Sequence, residues 1–91
     1  MVCKKCVVAG RVQGVYYRAT AARRAQELAI RGHARNLDDG RVEVLVCGAA
    51  DAVETFVRWL WIGPSAAKVS SVDVVELVLA PEDIPHGFLT F

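Results

Sequence analysis

The sequence lacks a hydrophobic run long enough to cross a membrane, and it has little net charge. Charged residues interrupt every apolar stretch before it reaches the roughly 18 to 20 residues that a bilayer requires. The formal net charge is +1, so no global field attracts the chain to nucleic acid or to an anionic membrane. The amino-terminal residues also lack the apolar core of a signal peptide. These absences favour a cytoplasmic protein without a membrane or nucleic-acid partner.

Cysteine is also scarce, and the three cysteines, Cys3, Cys6 and Cys47, form an odd set. A chain of 91 residues that is 54% hydrophobic has enough apolar material for a core without disulfides. Cys3 and Cys6 have the spacing of half a zinc site, but no second pair supplies further ligands, and a strand places them on opposite faces. We therefore expect reduced cysteines in a reducing cytosol, no bound metal and no cofactor.

The pattern of apolar residues predicts one domain over residues 1–91, built from alternating strands and helices. Asp38-Asp39-Gly40 lies between two extended segments and is a strong hairpin signal, whereas Gly32 is expected to end the first helix. The element order predicts an α+β, ferredoxin-like split βαβ sandwich, βαββαβ with a short terminal strand, in which two helices cover one face of an antiparallel sheet. The predicted strands are 5–10, 33–37, 41–47, 69–79 and 87–91, and the predicted helices are 18–30 and 50–61.

A loop bounded by Gly10 and Gly14 leads from the first strand into the first helix, and Arg18 lies at the start of that helix. Free backbone N–H groups and the helix dipole favour an anion at such a junction, and a guanidinium matches two phosphate oxygens. Alternatively, the glycines only permit a tight turn and Arg18 is a solvated helix residue. No Gly-Lys-Ser/Thr follows, which argues against a nucleotide-binding loop.

Asn36 is a second candidate, because it lies near the end of a strand that runs into the hairpin turn. Its carboxamide can accept a hydrogen bond from a water and donate one to a phosphoryl oxygen, which positions a nucleophile without removing its proton. The alternative is that Asn36 bonds the neighbouring backbone, as asparagine before a turn often does. These residues alone do not decide between the two roles.

Two motifs resemble the signatures of the acylphosphatase family. The family pattern G-x-V-Q-G-V, followed by two residues that usually end in an aromatic and then by arginine, resembles Gly10-Arg11-Val12-Gln13-Gly14-Val15-Tyr16-Tyr17-Arg18. The pattern G-x-V-x-N-x-x-D-G-x-V-E resembles residues 32–43. The likeness covers roughly residues 5–80, and it departs at His33, Ala34 and Ala29, where the family usually has an aromatic, valine and glycine. We expect His33 to have a packing or surface role.

The resemblance implies hydrolysis of the carboxyl–phosphate anhydride of small acyl phosphates, without metal or cofactor. Arg18 would bind the phosphate, and Asn36 would hold the attacking water, whose proton passes to the substrate's own phosphate. The backbone N–H groups of five loop residues would complete the phosphate cradle, and inorganic phosphate or sulfate is expected to occupy the same place. Those residues are Arg11, Val12, Gln13, Gly14 and Val15.

Two other functions remain in consideration. One is a binding module for acyl or carbamoyl phosphate, or for a protein partner, without turnover, because similar domains occur fused within larger proteins that handle carbamoyl phosphate. The other is an RNA-binding split βαβ domain, which displays aromatic residues on its central strands. The segments 5–9 and 41–47 contain no aromatic residue, which counts against RNA. We expect a free-standing, monomeric enzyme.

Overall fold

The computed structural model covers residues 1–91 and contains two helices, a short 3-10 turn and five strands. The helices have 11 residues each, and neither is long and apolar enough to span a bilayer. Each predicted element is present within a few residues of its predicted bounds. In chain order they are β1 (Val2–Arg11), α1 (Tyr17–Glu27), β2 (Arg31–Asn36), β3 (Val42–Gly48), α2 (Ala50–Leu60), β4 (Lys68–Leu77), the 3-10 turn (Pro81–Asp83) and β5 (Phe88–Thr90).

The strands form one sheet in the order β4-β1-β3-β2-β5, and both helices lie on one of its faces. The hairpin predicted at Asp38-Asp39-Gly40 is confirmed, since β2 and β3 pair antiparallel from Arg31↔Cys47 to Asn36↔Val42. The four longer strands are antiparallel, as predicted. The short terminal strand β5 is different, because it pairs parallel with β2. The sheet is therefore mixed, since the segment after β4 crosses the sheet and returns along the outer side of β2.

The main core lies between the helices and the sheet. The period of two places Val42, Val44 and Val46 of β3 on the helix side, where each is fully buried. Phe56 and Leu60 of α2 meet them, which confirms the apolar stripe predicted for that helix. On α1 the buried positions are mostly small, which allows a close approach of the helix to the sheet. This core fixes the start of α1 relative to the ends of β1 and β2.

The opposite face of the sheet has a smaller apolar cluster, and it contradicts the expectation of reduced cysteines. Cys3 and Cys47 stand directly opposite each other in the β1–β3 register and form a disulfide. Leu77, Leu79 and Ile84 cover the bond. The two cysteines are 44 positions apart in the chain, and the register of β1 against β3 brings them together. Their spacing in the sequence does not reveal this pairing. Cys6 faces the main core instead, as a free thiol whose pKa burial raises to about 11.

The first helix ends earlier than predicted, and Gly32 does not end it. The chain reverses at Ala29, which has φ 55, in the left-handed region. Gly32 lies within β2, where a Cβ would stand 1.8 Å from the carbonyl oxygen of Leu45. Gly32 is therefore required by the close approach of β3, while Ala29 adopts the backbone conformation for which a glycine is better suited.

Candidate active site

One pocket of about 460 Å³ opens where the first loop, the start of α1, the end of β2 and the terminal strand meet. It is more polar than the core, and Arg18 is the only charged residue among those that line it. Arg18 and Asn36, the two predicted catalytic residues, lie on the walls of this same pocket. The complete lining consists of Val12, Gly14, Tyr16, Tyr17, Arg18, Ala19, Asn36 and Thr90.

The amino terminus of α1 is free of protein groups that would satisfy it. Its N-cap, Tyr16, has φ 62 and makes no side-chain capping hydrogen bond, and no acidic residue lies in the first turn. The backbone N–H groups of residues 12–16 make no hydrogen bond to any backbone or side-chain acceptor. Free N–H groups at the positive end of a helix dipole form a site for an anion.

Arg18 adds a full positive charge to this end of the helix. Its side chain is half-buried, and Nη1 donates to the main-chain oxygen of Phe91, just after β5. That contact uses one side of the guanidinium, so Nε and Nη2 keep their donor capacity. The terminal strand therefore holds the arginine in place at the pocket, a contact for which the sequence offered no signal.

Asn36 is the last residue of β2 and lines the pocket from the hairpin side. Its Oδ1 atom is buried and accepts no hydrogen bond from the protein. Buried polar atoms nearly always have a partner, so an unpaired oxygen at a pocket wall indicates a site for a donor. Oδ1 therefore does not bond the backbone of the neighbouring turn, which is the alternative that the sequence left open.

Of the five residues predicted to form the phosphate cradle, Val12 and Gly14 line the pocket, and the other three do not. Arg11 is the last residue of β1 and pairs with Lys68 of β4, so its side chain lies away from the pocket. Val15 is buried in the main core. Gln13 directs its carboxamide toward the β2–β3 hairpin.

Four lining residues had no role assigned from sequence: Tyr16, Tyr17, Ala19 and Thr90. The first three lie within or next to the first motif, which was the only signal for them. The Tyr17 hydroxyl donates to the main-chain oxygen of Leu60 at 2.6 Å, and burial raises the pKa of this phenol. It is therefore a fixed, neutral part of the wall, joining the start of α1 to the end of α2.

His33 and the adjacent carboxylate lie outside the pocket, on the open face of the sheet. His33 Nε2 stands 3.3 Å from Glu43 Oε2, and Arg35 binds the same oxygen at 2.6 Å. Burial alone would raise the pKa of Glu43, but the contacts with His33 and Arg35 outweigh it and lower that pKa. The His33 ring also packs edge-on against Phe91. The packing role predicted for His33 agrees with this position.

Comparisons with known proteins point to one family. The chain matches the acylphosphatase family over residues 4–89. It is 52% identical to an acylphosphatase of Nitrosococcus oceani over 88% of this chain and 89% of that one, and 49% identical to an acylphosphatase of Chromohalobacter salexigens over 93% and 90%. The fold superposes on the acylphosphatase of Bacillus subtilis with a TM-score of 0.93 and 33% identity, over 100% of this chain and 99% of that one. The chain therefore belongs to the acylphosphatase family.

Proposed function

We propose that this protein hydrolyses small acyl phosphates to a carboxylate and inorganic phosphate, with Arg18 and the free loop amides binding the phosphoryl group and Asn36 positioning the water. Family membership, fold and named relatives all support this reaction class. The assignment of roles to individual residues rests on the pocket itself. Its fullest support is that the unpaired Oδ1 of Asn36 lies in the same pocket as Arg18.

The phosphoryl group would bind at the amino terminus of α1. There the substrate's negative charge meets the helix dipole, the backbone N–H groups of residues 12–16 and the guanidinium of Arg18. Gln13 and Val15 would act here only through their backbone N–H groups, and Arg11, which pairs with Lys68 of β4, is outside this set of donors. These donors are already in place without substrate, so they can stabilise charge on the phosphoryl oxygens without reorganising during the reaction.

The Oδ1 atom of Asn36 would accept a hydrogen bond from the attacking water and hold its oxygen toward phosphorus. The new bond forms between that oxygen and phosphorus, and the bond from phosphorus to the acyl oxygen breaks. The carboxylate leaves with the electron pair. Because the carboxylate is a good leaving group, positioning and charge stabilisation can supply most of the catalysis.

The water's proton would pass to a phosphoryl oxygen of the substrate. The pocket lining contains no Asp, Glu or His, and the Tyr17 hydroxyl is already committed to Leu60. A protein general base is thus missing from the walls, whereas the bound phosphoryl group carries basic oxygens next to the water. No covalent phosphoenzyme is needed in this scheme.

The test is phosphate release from acetyl phosphate and benzoyl phosphate in the presence of a chelator, with inhibition by inorganic phosphate measured in parallel. We expect Asn36→Ala to lower kcat by about 100-fold or more, because the water is no longer oriented. Phosphate should still inhibit that variant. Arg18→Ala should lose both turnover and phosphate inhibition, since it removes the one charged group in the pocket.

Arg23→Ala is the matched control for Arg18→Ala, since Arg23 is an exposed arginine of the same helix and lies outside the pocket. It should keep full activity. Full activity in Arg18→Ala or Asn36→Ala would refute the role assigned to that residue. Phosphate binding without turnover in the wild type would favour the non-catalytic binding module instead.

The proposal includes a monomeric protein with no nucleic-acid partner. The two central strands, β1 and β3, contain no aromatic residue on which bases could stack, so a gel shift with single-stranded RNA should be negative. We also keep the cytoplasmic location as a proposal. The Cys3–Cys47 disulfide argues the other way, because such bonds are rare in a reducing compartment. Cell fractionation would decide the location, and alkylation of thiols in intact cells, followed by mass measurement, would show whether Cys3 and Cys47 are bonded there.

A further inference from the structure

The side chain of Gln13 joins the phosphate-binding loop to the hairpin that carries Asn36. Its Nε2 atom lies 2.9 Å from the main-chain oxygen of Leu37 and 3.0 Å from that of Arg41. Both acceptors are carbonyl oxygens, so the amide nitrogen, with its two hydrogens, must face them. Each N–H thus has one acceptor, and the carboxamide is fixed in a single orientation.

The two acceptors lie at the neck of the hairpin, where β2 ends and β3 begins. Leu37 directly follows Asn36, and its N–H donates to the oxygen of Arg41 at 2.8 Å. Asn36 is in turn the register partner of Val42, the residue after Arg41. A group bonded to both Leu37 and Arg41 therefore fixes the strand end from which the Asn36 side chain projects.

No other hydrogen bond connects residues 12–16 with the hairpin residues 37–41. Hydrogen bonds weaken steeply when their geometry is distorted, so these two bonds resist a small displacement of the hairpin relative to the loop. In the proposed reaction, the phosphoryl group is held from the loop side and the water from the hairpin side. The connection between those two sides determines the distance from water to phosphorus.

We infer that Gln13 is a positioning residue, whose carboxamide holds the hairpin and Asn36 at a fixed separation from the phosphate-binding loop. This inference rests on the proposed function, and it adds a side-chain role to a residue otherwise assigned only a backbone N–H. Gln13 does not touch the reacting atoms. Its effect is on the alignment of water and phosphoryl group, which enters kcat more than phosphate affinity.

The experiment compares Gln13→Leu with Gln26→Leu. Leucine is close in size to glutamine and cannot donate, while Gln26 is an exposed glutamine on α1 without a side-chain hydrogen bond and is the only other glutamine in the chain. For Gln13→Leu we expect kcat for acetyl phosphate to fall about 10- to 100-fold, as misplacement by a fraction of an ångström to 1 Å would produce. The inhibition constant of inorganic phosphate should change less than about threefold, which separates alignment from binding.

A second measurement does not depend on turnover. In NMR spectra of the wild type, the carboxamide protons of Gln13 should exchange with solvent more slowly than those of Gln26. The carboxamide resonances of Asn36 should move in Gln13→Leu and stay in place in Gln26→Leu. Together with the kinetic result, this outcome would support the inference.

Three outcomes would overturn the inference: an unchanged kcat in Gln13→Leu, equal losses of kcat and phosphate affinity, or rapid exchange of the Gln13 carboxamide. Equal losses would indicate a general loosening of the structure, and rapid exchange would indicate that the Gln13 hydrogen bonds do not form. If the wild type hydrolyses no acyl phosphate, the proposed function fails separately. The Asn36 carboxamide resonances then test the inference without turnover. If they have the same chemical shifts in Gln13→Leu as in Gln26→Leu, Gln13 does not hold Asn36 in place.

Discussion

The two helices have the same length and pack on the same face of the sheet, yet their amino termini are built differently. At α2, Ala49 is an extended N-cap and Asp51 lies in the first turn, where its carboxylate accepts from the backbone N–H of Ala52. At α1, Tyr16 is a left-handed N-cap without a capping bond, and no acid follows. Neither N-cap side chain forms a capping bond, but the positive end of α2 has an acid that binds one backbone N–H, and that of α1 has none.

This difference shows how a site can be recognised from groups that are missing. A capping acid contributes typically 0.3 to 1 kcal/mol to the stability of a helix, so α1 forgoes a common source of stability. Arg18 even adds positive charge where the dipole disfavours it. Both features are unfavourable for an isolated helix and favourable for one that binds an anion.

The largest effect should come from making α1 resemble α2. Ala19 is exposed and lines the pocket in the first turn, so Ala19→Glu introduces the acid that this helix lacks. Like charges about 5 Å apart repel by about 3 kcal/mol at an effective dielectric constant of about 20, which predicts a loss of about 100-fold in kcat/KM. Glutamine is nearly as large as glutamate and carries no charge, so Ala19→Gln should lower kcat/KM by less than about 10-fold. Equal kcat/KM in the two variants would contradict an anion at this helix end.

The carboxyl ends of the helices also differ. After α2 the chain turns at Gly63, with φ 66, and after α1 it turns at Ala29, with φ 55. A Cβ at position 63 would lie 2.7 Å from Cε2 of Tyr17, whereas Ala29 is exposed. The turn after α2 therefore packs against Tyr17, which lines the pocket, whereas the turn after α1 is exposed.

The second prediction, Gly63→Ala, uses that contact. Strain in the left-handed region and overpacking against Tyr17 together should reduce the free energy of unfolding by about 2 to 3 kcal/mol. Tyr17 lines the pocket, so kcat/KM should fall as well. Urea denaturation measures the first effect. Gly87→Ala is the control, since it has open space around it and no positive φ, and its unfolding free energy should stay within about 0.5 kcal/mol of the wild type.

The smallest prediction concerns Ala29. Ala29→Gly removes the left-handed strain at the end of α1 and should raise the free energy of unfolding by about 0.5 to 1 kcal/mol, after the entropy that glycine gains in the unfolded chain is subtracted. Ala22→Gly, in the interior of the same helix, should lower it by about 1 kcal/mol. Destabilisation by both substitutions would show that position 29 is not strained.

Much of the fold could be predicted from local patterns. The Asp38-Asp39-Gly40 turn, the apolar stripe of α2 and the alternation in β3 each depend on neighbours within a few residues, and all three are confirmed. The family followed from two motifs. The joint location of Arg18 and Asn36 at one pocket agrees with what those motifs implied, while their catalytic roles remain a proposal.

The features that sequence did not predict depend on distant parts of the chain. The Cys3–Cys47 bond needs the register of β1 against β3, and the parallel pairing of β5 needs the path of the chain after β4. A glycine after a helix usually predicts the end of that helix, whereas Gly32 lies where β3 passes too close for any side chain. Thr90 lines the pocket, and Phe91 contacts Arg18, only because of the position of β5.

The contact between Arg18 and Phe91 joins residues 73 positions apart. Formation of α1 alone cannot bring Arg18 into this contact, because its partner follows a strand that is held in the sheet only by pairing with β2. The orientation of the arginine therefore reports on the tertiary fold and not on the helix that carries it.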